Sequence, residues 1–248
     1  MFLNYQKIDN IAINNCYHYR GYRYGLFSNN IYEDYIVGLS QGVDLQKLRL
    51  EFVERILGMR SLNFFKTLHL NQTSEAINWD FPWAWGQAKD SYSALTNPDI
   101  ICHTSTDGIL ASHINREFVW LENSYKSIKE NGYSPEKYGY IRLLELKKGK
   151  ERSYIVLDGN HRISALAALN YSHCNAIIIN NVFLRHCLFF LWPGYVFRGY
   201  KKKEAQNIFL RYFEKNNYTI PISNNYSDII YDEELAVDLQ LGKKSLNH

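Results

Sequence analysis

The sequence predicts an α/β (α+β) protein, with a small mixed sheet and helices as its core, a helical N-terminal part and a C-terminal helix. Three observations predict this class. Apolar residues recur every three or four positions from Tyr32 to Leu57, the spacing of a buried helical face. The apolar segments Tyr140–Leu146 and Ser153–Leu157 have the length and composition of strands. A second helical pattern follows the later strand directly.

The N-terminal part is expected to be helical or irregular. Its start is rich in Tyr and Asn and shows little periodicity. In the helical stretch that follows, Gly42 is expected to separate two helices, and Asp44 is placed to cap the second. The pattern divides the chain into three regions: an N-terminal region over 1–114, a core over 115–222 and a tail over 223–248.

The core region contains a regular succession of elements. A helix is expected to end at Gly132, because glycine is common just past a helix C-terminus. Two strands joined by the hairpin Lys147–Lys150 come next, and the second strand has the continuous apolar character of one buried on both faces. The helix and the strand Asn175–Ile179 that follow predict a βαβ unit with a right-handed crossover. A last helix is expected over Lys201–Asn216.

Composition and charge argue against nucleic-acid binding and membrane spans. The 248 residues carry 28 Lys+Arg and 25 Asp+Glu, a net charge of +3 that is too balanced to indicate nucleic-acid binding. Lys201–Lys203 are interpreted as a solvated helix start. The longest apolar stretch, Cys187–Trp192, is far shorter than the roughly 20 residues that span a bilayer, and it is expected to be a buried strand or helix segment. The four cysteines form no CxxC pair and the start lacks a signal peptide, so the expected location is the cytoplasm.

The most informative stretch is the strand-to-helix junction Asp158-Gly159-Asn160-His161-Arg162. Gly159 allows a sharp turn and close approach of a ligand to the backbone. The first N–H groups of the helix have no partners within it, and the helix dipole adds partial positive charge, so the turn can bind an anion. His161 and Arg162 add donors that suit phosphate oxygens. Asp158 can hold magnesium beside a phosphate or accept a proton from a hydroxyl; the alternative is that it caps the helix and pairs with Arg162.

Over residues 115–180 the chain resembles the ParB/sulfiredoxin superfamily. The resemblance lies in a Ser-Ile helix with glycine ("SYKSIKENGY"), a strand pair, the D-G-N-H-R turn with its small-residue helix, and a closing strand. The turn is most similar to that of the free-serine kinases of this superfamily. The resemblance implies a nucleotide phosphate pocket, ATP or ADP and Mg²⁺ as cofactors, and catalytic roles for Asp158 and His161. The implied nucleotide-binding residues are Ser127, Gly159, Asn160, His161 and Arg162, and Asp158 is the implied metal ligand.

Departures from the other branches narrow the resemblance. Sulfiredoxins carry a reactive cysteine where this chain has Asn160, which disfavours sulfinic-acid repair. The G-E-R-R-type box and the helix-turn-helix of ParB partition proteins are not recognisable, which disfavours chromosome partitioning. The serine kinases also use a catalytic glutamate, for which Glu75, Glu117 and Glu122 are candidates.

A second resemblance concerns Phe189–Phe213, which is similar to a segment of uncharacterised proteins encoded with surface-polysaccharide genes. It implies a saccharide or saccharide-linked acceptor. Trp192 and Tyr195 can stack on a sugar ring, and Arg198 can bind an anionic group; the alternative is an aromatic corner that fills the core. Four minor features are interpreted as structural: the turn Asp107-Gly108, the flanking His103 and His113, the His-Cys pairs at 173–174 and 186–187, and the aromatic loop Pro82–Gly86.

The sequence therefore predicts a nucleotide-dependent kinase that acts on a hydroxyl of a small molecule or saccharide, with polysaccharide biosynthesis as a setting. Nucleic acid is not an expected partner. The alternatives are a non-catalytic nucleotide-binding or DNA-associated module, and a nuclease.

Overall fold

A five-stranded mixed sheet lies at the centre of the protein. The computed structural model describes residues 4–25, 30–60, 68, 70–71, 81–83, 108–197 and 199–214. The strands are β1 (Asn4–Ala12), β2 (Cys16–Tyr17), β3 (Ile141–Lys148), β4 (Glu151–Asp158) and β5 (His173–Arg185), in the spatial order β1-β5-β3-β4-β2. The α-helices are α1 (Ile31–Ser40), α2 (Leu45–Arg60), α3 (Gly108–Asn131), α4 (Pro135–Tyr138), α5 (Asn160–Ala168), α6 (Pro193–Phe197) and α7 (Lys202–Arg211). The predicted α/β (α+β) class is confirmed.

The strand order corrects one prediction from the sequence. β3 and β4 form the expected antiparallel hairpin. β5 pairs in parallel with β3, on the side away from β4. β4 and β5 therefore run antiparallel with β3 between them, and the predicted βαβ unit, which requires parallel strands, is wrong. A succession of strand, helix and strand cannot show that an earlier strand occupies the place between the two.

The N-terminal region also differs from its predicted helical or irregular character. β1 pairs antiparallel with β5 along its whole length, and β2 pairs in parallel with β4. The region therefore supplies both edges of the sheet, and α3 crosses the expected boundary between residues 114 and 115. β1 was missed because it is a polar edge strand: Gln6 and Lys7 are exposed, and so is its apolar residue Ile8.

Hydrophobic residues cover both faces of the sheet. Tyr154 and Val156 of β4 belong to a core shared with α1, α2, α3 and α5, whereas Ile155 between them belongs to a second core. The second core is rich in aromatic residues and includes Trp192 and residues of α7. The predicted burial of β4 on both faces is confirmed by the buried run Ser153–Val156.

The helix ends follow the local sequence. The Asn30 side chain accepts a hydrogen bond from a backbone N–H in the first turn of α1. Asp44 caps α2 as predicted, with its Oδ1 2.9 Å from the N–H nitrogen of Lys47. Gly42 lies between these two helices with φ +75°, and Gly132 follows α3 with φ +72°, which confirms both predicted breaks.

The segment Cys187–Trp192 is not the buried strand or helix that its composition predicts. Residues His186–Leu191 form a 3-10 helix, and none of them is buried. Trp192 is the one residue of this segment that is fully buried, and it stacks on Phe209 in the second core with ring centroids 5.1 Å apart. Phe189 packs partly buried against the same core, whereas Phe190 and Leu191 are exposed at the surface.

The last helix, α7, is shorter than the predicted Lys201–Asn216. Lys201–Lys203 are exposed at its start, which confirms their interpretation as a solvated helix start. The predicted tail over 223–248 lies outside the described residues. Among the helices that the structure describes, none is long and apolar enough to cross a membrane.

Candidate functional site

The D-G-N-H-R turn lies where β4 ends and α5 begins. Gly159 has φ +94°, a left-handed conformation that favours glycine. A Cβ atom at this position would lie 3.0 Å from Cγ1 of Ile141 and 3.1 Å from Nη2 of Arg162. The backbone conformation and the lack of space therefore both require glycine.

The N-terminus of α5 has no side-chain cap. The N–H of Ile163 donates to the carbonyl of Gly159 at 3.0 Å, which is the first hydrogen bond within the helix. The N–H groups of the first helical residues precede that bond and are directed out of the helix end. A helix end of this kind, with the partial positive charge of the helix dipole, is able to accept an anion. Asp158, which could have capped the helix, does not do so.

Glu117 of α3 is the partner of His161. Its Oε2 lies 2.6 Å from Nε2 of His161. The Glu117 side chain is 3% exposed and the His161 side chain 20%. Because a carboxylate accepts hydrogen bonds, Nε2 carries a proton and donates it to Glu117. Nδ1 is then the ring nitrogen that can accept a hydrogen bond.

Aromatic rings border His161 on two sides. The Tyr32 ring lies edge-on to the imidazole, with 6.0 Å between the centroids. The Trp120 ring lies 5.5 Å from the imidazole. Trp120 is 47% exposed. An exposed indole beside an anion site can stack on a flat or apolar face of a ligand.

His18 is a second imidazole close to this site, and it is buried. Its ring stacks on Tyr22 at 5.5 Å and lies 5.7 Å from the Tyr32 ring. Burial lowers the pKa of His18 to about 3, and the charges of Arg20 and His161 act in the same direction. His18 is therefore neutral near physiological pH and packs as an aromatic ring.

Tyr24 fixes the side-chain amide of Asn160. The Tyr24 hydroxyl donates to Oδ1 of Asn160 at 2.7 Å. Burial raises the pKa of the Tyr24 phenol well above its usual value, so the hydroxyl keeps its proton. Because the amide oxygen is engaged, Nδ2 is the other polar atom of this side chain, and it can only donate a hydrogen bond. The amide thus has its orientation set before any ligand binds.

Arg162 contacts the protein itself. Its Nη1 donates to the carbonyl of Gly139 and lies 3.3 Å from the carbonyl oxygen of Tyr138. Its Nη2 lies 3.3 Å from Oδ2 of Asp158. The structural alternative for Asp158 was that it caps the helix and pairs with Arg162. The ion pair is present, and the helix cap is not. Arg162 holds the turn against the loop before β3, so its predicted role as a direct phosphate ligand would require it to give up these bonds.

Asp158 is the exposed carboxylate of the turn, with 62% of its side chain exposed. One carboxylate fits Mg²⁺ when a nucleotide supplies further oxygens, which is the usual way that Mg²⁺ binds in such sites. No group of three or more His, Cys, Asp or Glu that could hold a metal ion occurs in the part of the chain that the structure describes. The donors therefore fit a magnesium ion that arrives with phosphates, and they do not fit a resident metal centre.

Of the two candidate glutamates that the structure describes, Glu117 lies at the turn and Glu122 does not. Glu122, on the same helix as Glu117, accepts hydrogen bonds from Tyr35 at 2.7 Å and from Arg49 at 3.0 Å. These contacts direct Glu122 toward α1 and α2 and away from His161. Glu75 lies outside the described residues.

Ser127 is not brought to His161. It lies on α3 ten residues beyond Glu117, which is about 15 Å along the axis at 1.5 Å per residue. The predicted nucleotide-binding role of Ser127 therefore has no support from its position relative to the Glu117–His161 pair.

Of the predicted saccharide-binding residues, the structure describes Trp192 and Tyr195. Trp192 is 1% exposed, so its ring has no face free for a sugar, and its predicted role as a substrate-binding residue is wrong. The alternative of a core-filling aromatic corner is correct. Tyr195 is exposed and packs against the Phe189 ring. Arg198 lies outside the described residues.

The parts of the minor features that the structure describes belong to no group of residues that could hold a metal ion. Asp107 and His103 lie outside the described residues, and His113 lies on α3. Of the aromatic loop, Pro82 and Trp83 are described, and the Trp83 ring packs 5.4 Å from that of Trp192 in the second core. Core filling was the predicted role of this loop.

The sequence contains an indication for Glu117 that lies outside the D-G-N-H-R turn. Ile114 and Leu121 lie on the buried apolar stripe of α3, and Glu117 falls on that stripe between them. A carboxylate on a buried face needs a buried partner, so the position indicated a cation or an imidazole elsewhere. Tyr24 and Trp120 carried no comparable signal, because aromatic residues are common throughout the chain.

Comparison of the chain with protein-family models, with curated proteins and with solved structures finds no match. The function is therefore argued from the turn itself and from the Glu117–His161 pair.

Proposed function

We propose that this chain is a nucleotide-dependent kinase that phosphorylates a hydroxyl of a small molecule or saccharide. The observation that supports this most is the Glu117–His161 pair, which holds an oriented imidazole at an uncapped helix N-terminus. The helix end suits phosphates, and the imidazole suits removal of a proton from a hydroxyl. The turn resembles that of the ParB/sulfiredoxin superfamily, and a phosphate site at this helix end agrees with that resemblance.

Phosphate binding rests on donors that are already in position. The first N–H groups of α5 and Nδ2 of Asn160 lie at the same helix end, and Tyr24 fixes the amide. Phosphoryl transfer depends mainly on positioning and on stabilisation of charge. Donors that need no rearrangement lower the barrier, because their ordering is complete before the nucleotide binds.

His161 acts on the acceptor hydroxyl. The hydroxyl oxygen forms a bond to the terminal phosphorus of the nucleotide, and the bond from that phosphorus to the bridging oxygen breaks. The leaving nucleotide keeps the electron pair, and the hydroxyl proton passes to Nδ1 of His161. Glu117 stabilises the resulting imidazolium through Nε2. The products are the phosphorylated alcohol and ADP, or AMP if ADP is the donor.

Asp158 and Arg162 affect the electrostatic potential around the phosphoryl group that is transferred. Asp158 would hold Mg²⁺ together with the nucleotide oxygens, and the metal would offset the charge of the transferred phosphoryl group. Because it is exposed beside the turn, Asp158 can also orient the acceptor hydroxyl. Arg162 keeps the turn closed on Gly139 and adds positive potential behind the phosphates.

Trp120 supports a ligand with a flat or apolar face, such as a nucleobase or a sugar. It is an exposed ring next to His161, whereas Trp192 is buried. The choice of a saccharide among alcohols rests on the resemblance of Phe189–Phe213 to proteins of surface-polysaccharide clusters.

The test begins with thermal unfolding of the purified protein in ATP, ADP and GTP, each with Mg²⁺ and with EDTA. ³¹P NMR then follows transfer to serine and to simple sugars. We expect a nucleotide to raise the melting temperature and an acceptor to be phosphorylated. Asp158→Asn and His161→Gln should abolish transfer and leave nucleotide binding largely intact, because the backbone donors remain. Asp9→Asn, an exposed carboxylate on β1, is the matched control and should keep full activity.

Each alternative has its own result. Binding without transfer to any acceptor would favour a non-catalytic module, and salt-dependent retention of duplex DNA would favour a DNA-associated one. Cleavage of nucleic acid that His161→Gln abolishes would favour a nuclease. Absence of any nucleotide binding would show that the turn is not a phosphate site.

A further inference from the structure

Exposed apolar residues lie on the segment that follows β5, beside the second core. It is formed by the end of the 3-10 helix and by α6, and we call it the Phe197 surface: Phe190, Leu191, Tyr195, Val196 and Phe197. Phe197 is 71% exposed and Phe190 is 50% exposed. Exposed apolar residues are common singly, but a contiguous group of them marks an interaction surface. Trp192, Pro193 and Gly194 are buried and Phe189 packs against the second core, so the segment that carries these exposed residues is fixed to the fold.

The Phe189 ring joins this surface to a cluster of lysines. It packs edge-on to Phe190 at 6.0 Å and to Tyr195 at 5.5 Å. Nζ of Lys202 lies 5.1 Å from the centroid of the same ring. Lys203 is also exposed at the start of α7. Apolar side chains and ammonium groups therefore lie side by side.

The charge of this part of the chain has one sign. No Asp or Glu occurs between Asp158 and Glu204, and the interval contains Arg162, Arg185, Arg198 and Lys201–Lys203. Glu204 itself is buried and accepts from the backbone N–H of Lys201 at 3.1 Å. The overall charge of +3 is small, so the local excess is a property of this segment.

We infer that the Phe197 surface docks the protein on an anionic membrane surface, with its aromatic and aliphatic side chains in the headgroup region and Lys202 and Lys203 against the lipid phosphates. Apolar side chains beside basic ones are what interfacial binding to anionic lipid requires. Nucleic acid fits less well, because Leu191 and Val196 have no ring face on which a base could stack. This inference does not depend on the proposed kinase activity.

The test is co-sedimentation of the full chain with vesicles of pure phosphatidylglycerol and of pure phosphatidylcholine. We expect binding to phosphatidylglycerol that weakens as salt is added, and little binding to phosphatidylcholine. Lys202→Gln and Lys203→Gln should each lower the partition coefficient roughly fivefold. The double variant Phe190→Ser/Phe197→Ser should lower it by about tenfold or more, because apolar burial is lost.

The matched control is Ile8→Ser with Lys126→Gln, an exposed apolar residue and an exposed lysine on other elements. This control should bind as the wild type does. All the variants change exposed side chains, and equal melting temperatures would show that they fold.

Three results would overturn the inference. The first is failure of the wild type to bind phosphatidylglycerol. The second is a dimer in sedimentation velocity that Phe190→Ser/Phe197→Ser abolishes, which would make the surface a contact between copies of the chain. The third is binding of single-stranded DNA that Lys202→Gln/Lys203→Gln abolishes, in the absence of vesicle binding.

Discussion

Glu117 and His161 are 44 positions apart in the chain, and 2.6 Å separates Oε2 of the first from Nε2 of the second. The two side chains come from different helices, α3 and α5, which pack against each other. The Glu117 carboxylate is buried, and the His161 imidazole is partly exposed to solvent. Nε2 faces the buried carboxylate, so Nδ1 is the ring nitrogen that this pair leaves for another contact.

Glu117→Gln should therefore reduce the proposed transfer about 10- to 100-fold, the usual cost of losing a carboxylate that orients a histidine. Nucleotide binding should change little. The tautomer of His161, observed by ¹⁵N NMR, should shift from a ring protonated at Nε2 to a mixture, because the neutral amide no longer favours one form.

Glu122→Gln is the control for this change, since it removes a carboxylate from the same helix that pairs with Arg49 and Tyr35. It should leave transfer and the His161 tautomer unchanged. If both variants lose activity equally, with the tautomer of His161 unaltered in each, then Glu117 has only a structural role.

Gly159→Ala should destabilise the fold and weaken phosphate binding. The φ of +94° is strained for alanine, and the new Cβ would meet Ile141 at 3.0 Å. A strained conformation of this kind costs about 1–3 kcal/mol, which urea unfolding can measure. Gly149→Ala is the matched control: it also has a positive φ, +59°, but has no atom within 4 Å of the added Cβ. If Gly159→Ala lowers the free energy of unfolding no more than Gly149→Ala does, the turn has space for the added Cβ.

Trp120→Ala should weaken binding of the ligand that stacks beside His161, without loss of stability. Base stacking on an aromatic side chain contributes about 1–3 kcal/mol, so the dissociation constant should rise roughly 5- to 150-fold by calorimetry. Val119→Ala changes the neighbouring residue, which is similarly exposed, and should have no effect. If the nucleotide binds both variants equally and the acceptor does not, the ring belongs to the acceptor site.

The local features of the fold could be predicted because they depend on neighbours in the chain. Asp44, Gly132 and Gly159 each act within a few residues of their own position, and the strand β4 has an uninterrupted apolar run. The position of β3 between β4 and β5 could not be predicted in this way, because strand order depends on contacts between distant segments. The same holds for β1, which pairs with residues far along the chain.

The candidate site could likewise be predicted only where its residues are neighbours in the chain. The turn residues stand together in the sequence, whereas Glu117, Tyr24 and Trp120 reach them from other elements. The composition of Cys187–Trp192 led to one wrong prediction. Its six apolar residues predicted a buried segment, and only Trp192 is buried.

His18 gives the protein a pH-dependent stability that can be measured without any ligand. Its pKa is about 3 in the folded protein and 6.5 in an ordinary environment, mainly because of burial. Between these two values the unfolded chain binds a proton at His18 and the folded chain does not. The stability that the neutral ring provides is therefore present above pH 6.5 and is lost as the pH falls toward 3.

His18→Gln should remove this loss. In urea unfolding between about pH 5 and 6.5, the wild type should lose up to about 1.4 kcal/mol per pH unit more than the variant does, and above pH 7 the two slopes should coincide. Parallel curves over the whole range would contradict the assignment. If His18→Gln fails to fold, ¹H NMR of the wild type decides the question, since the His18 ring signals should keep their neutral positions at about pH 5.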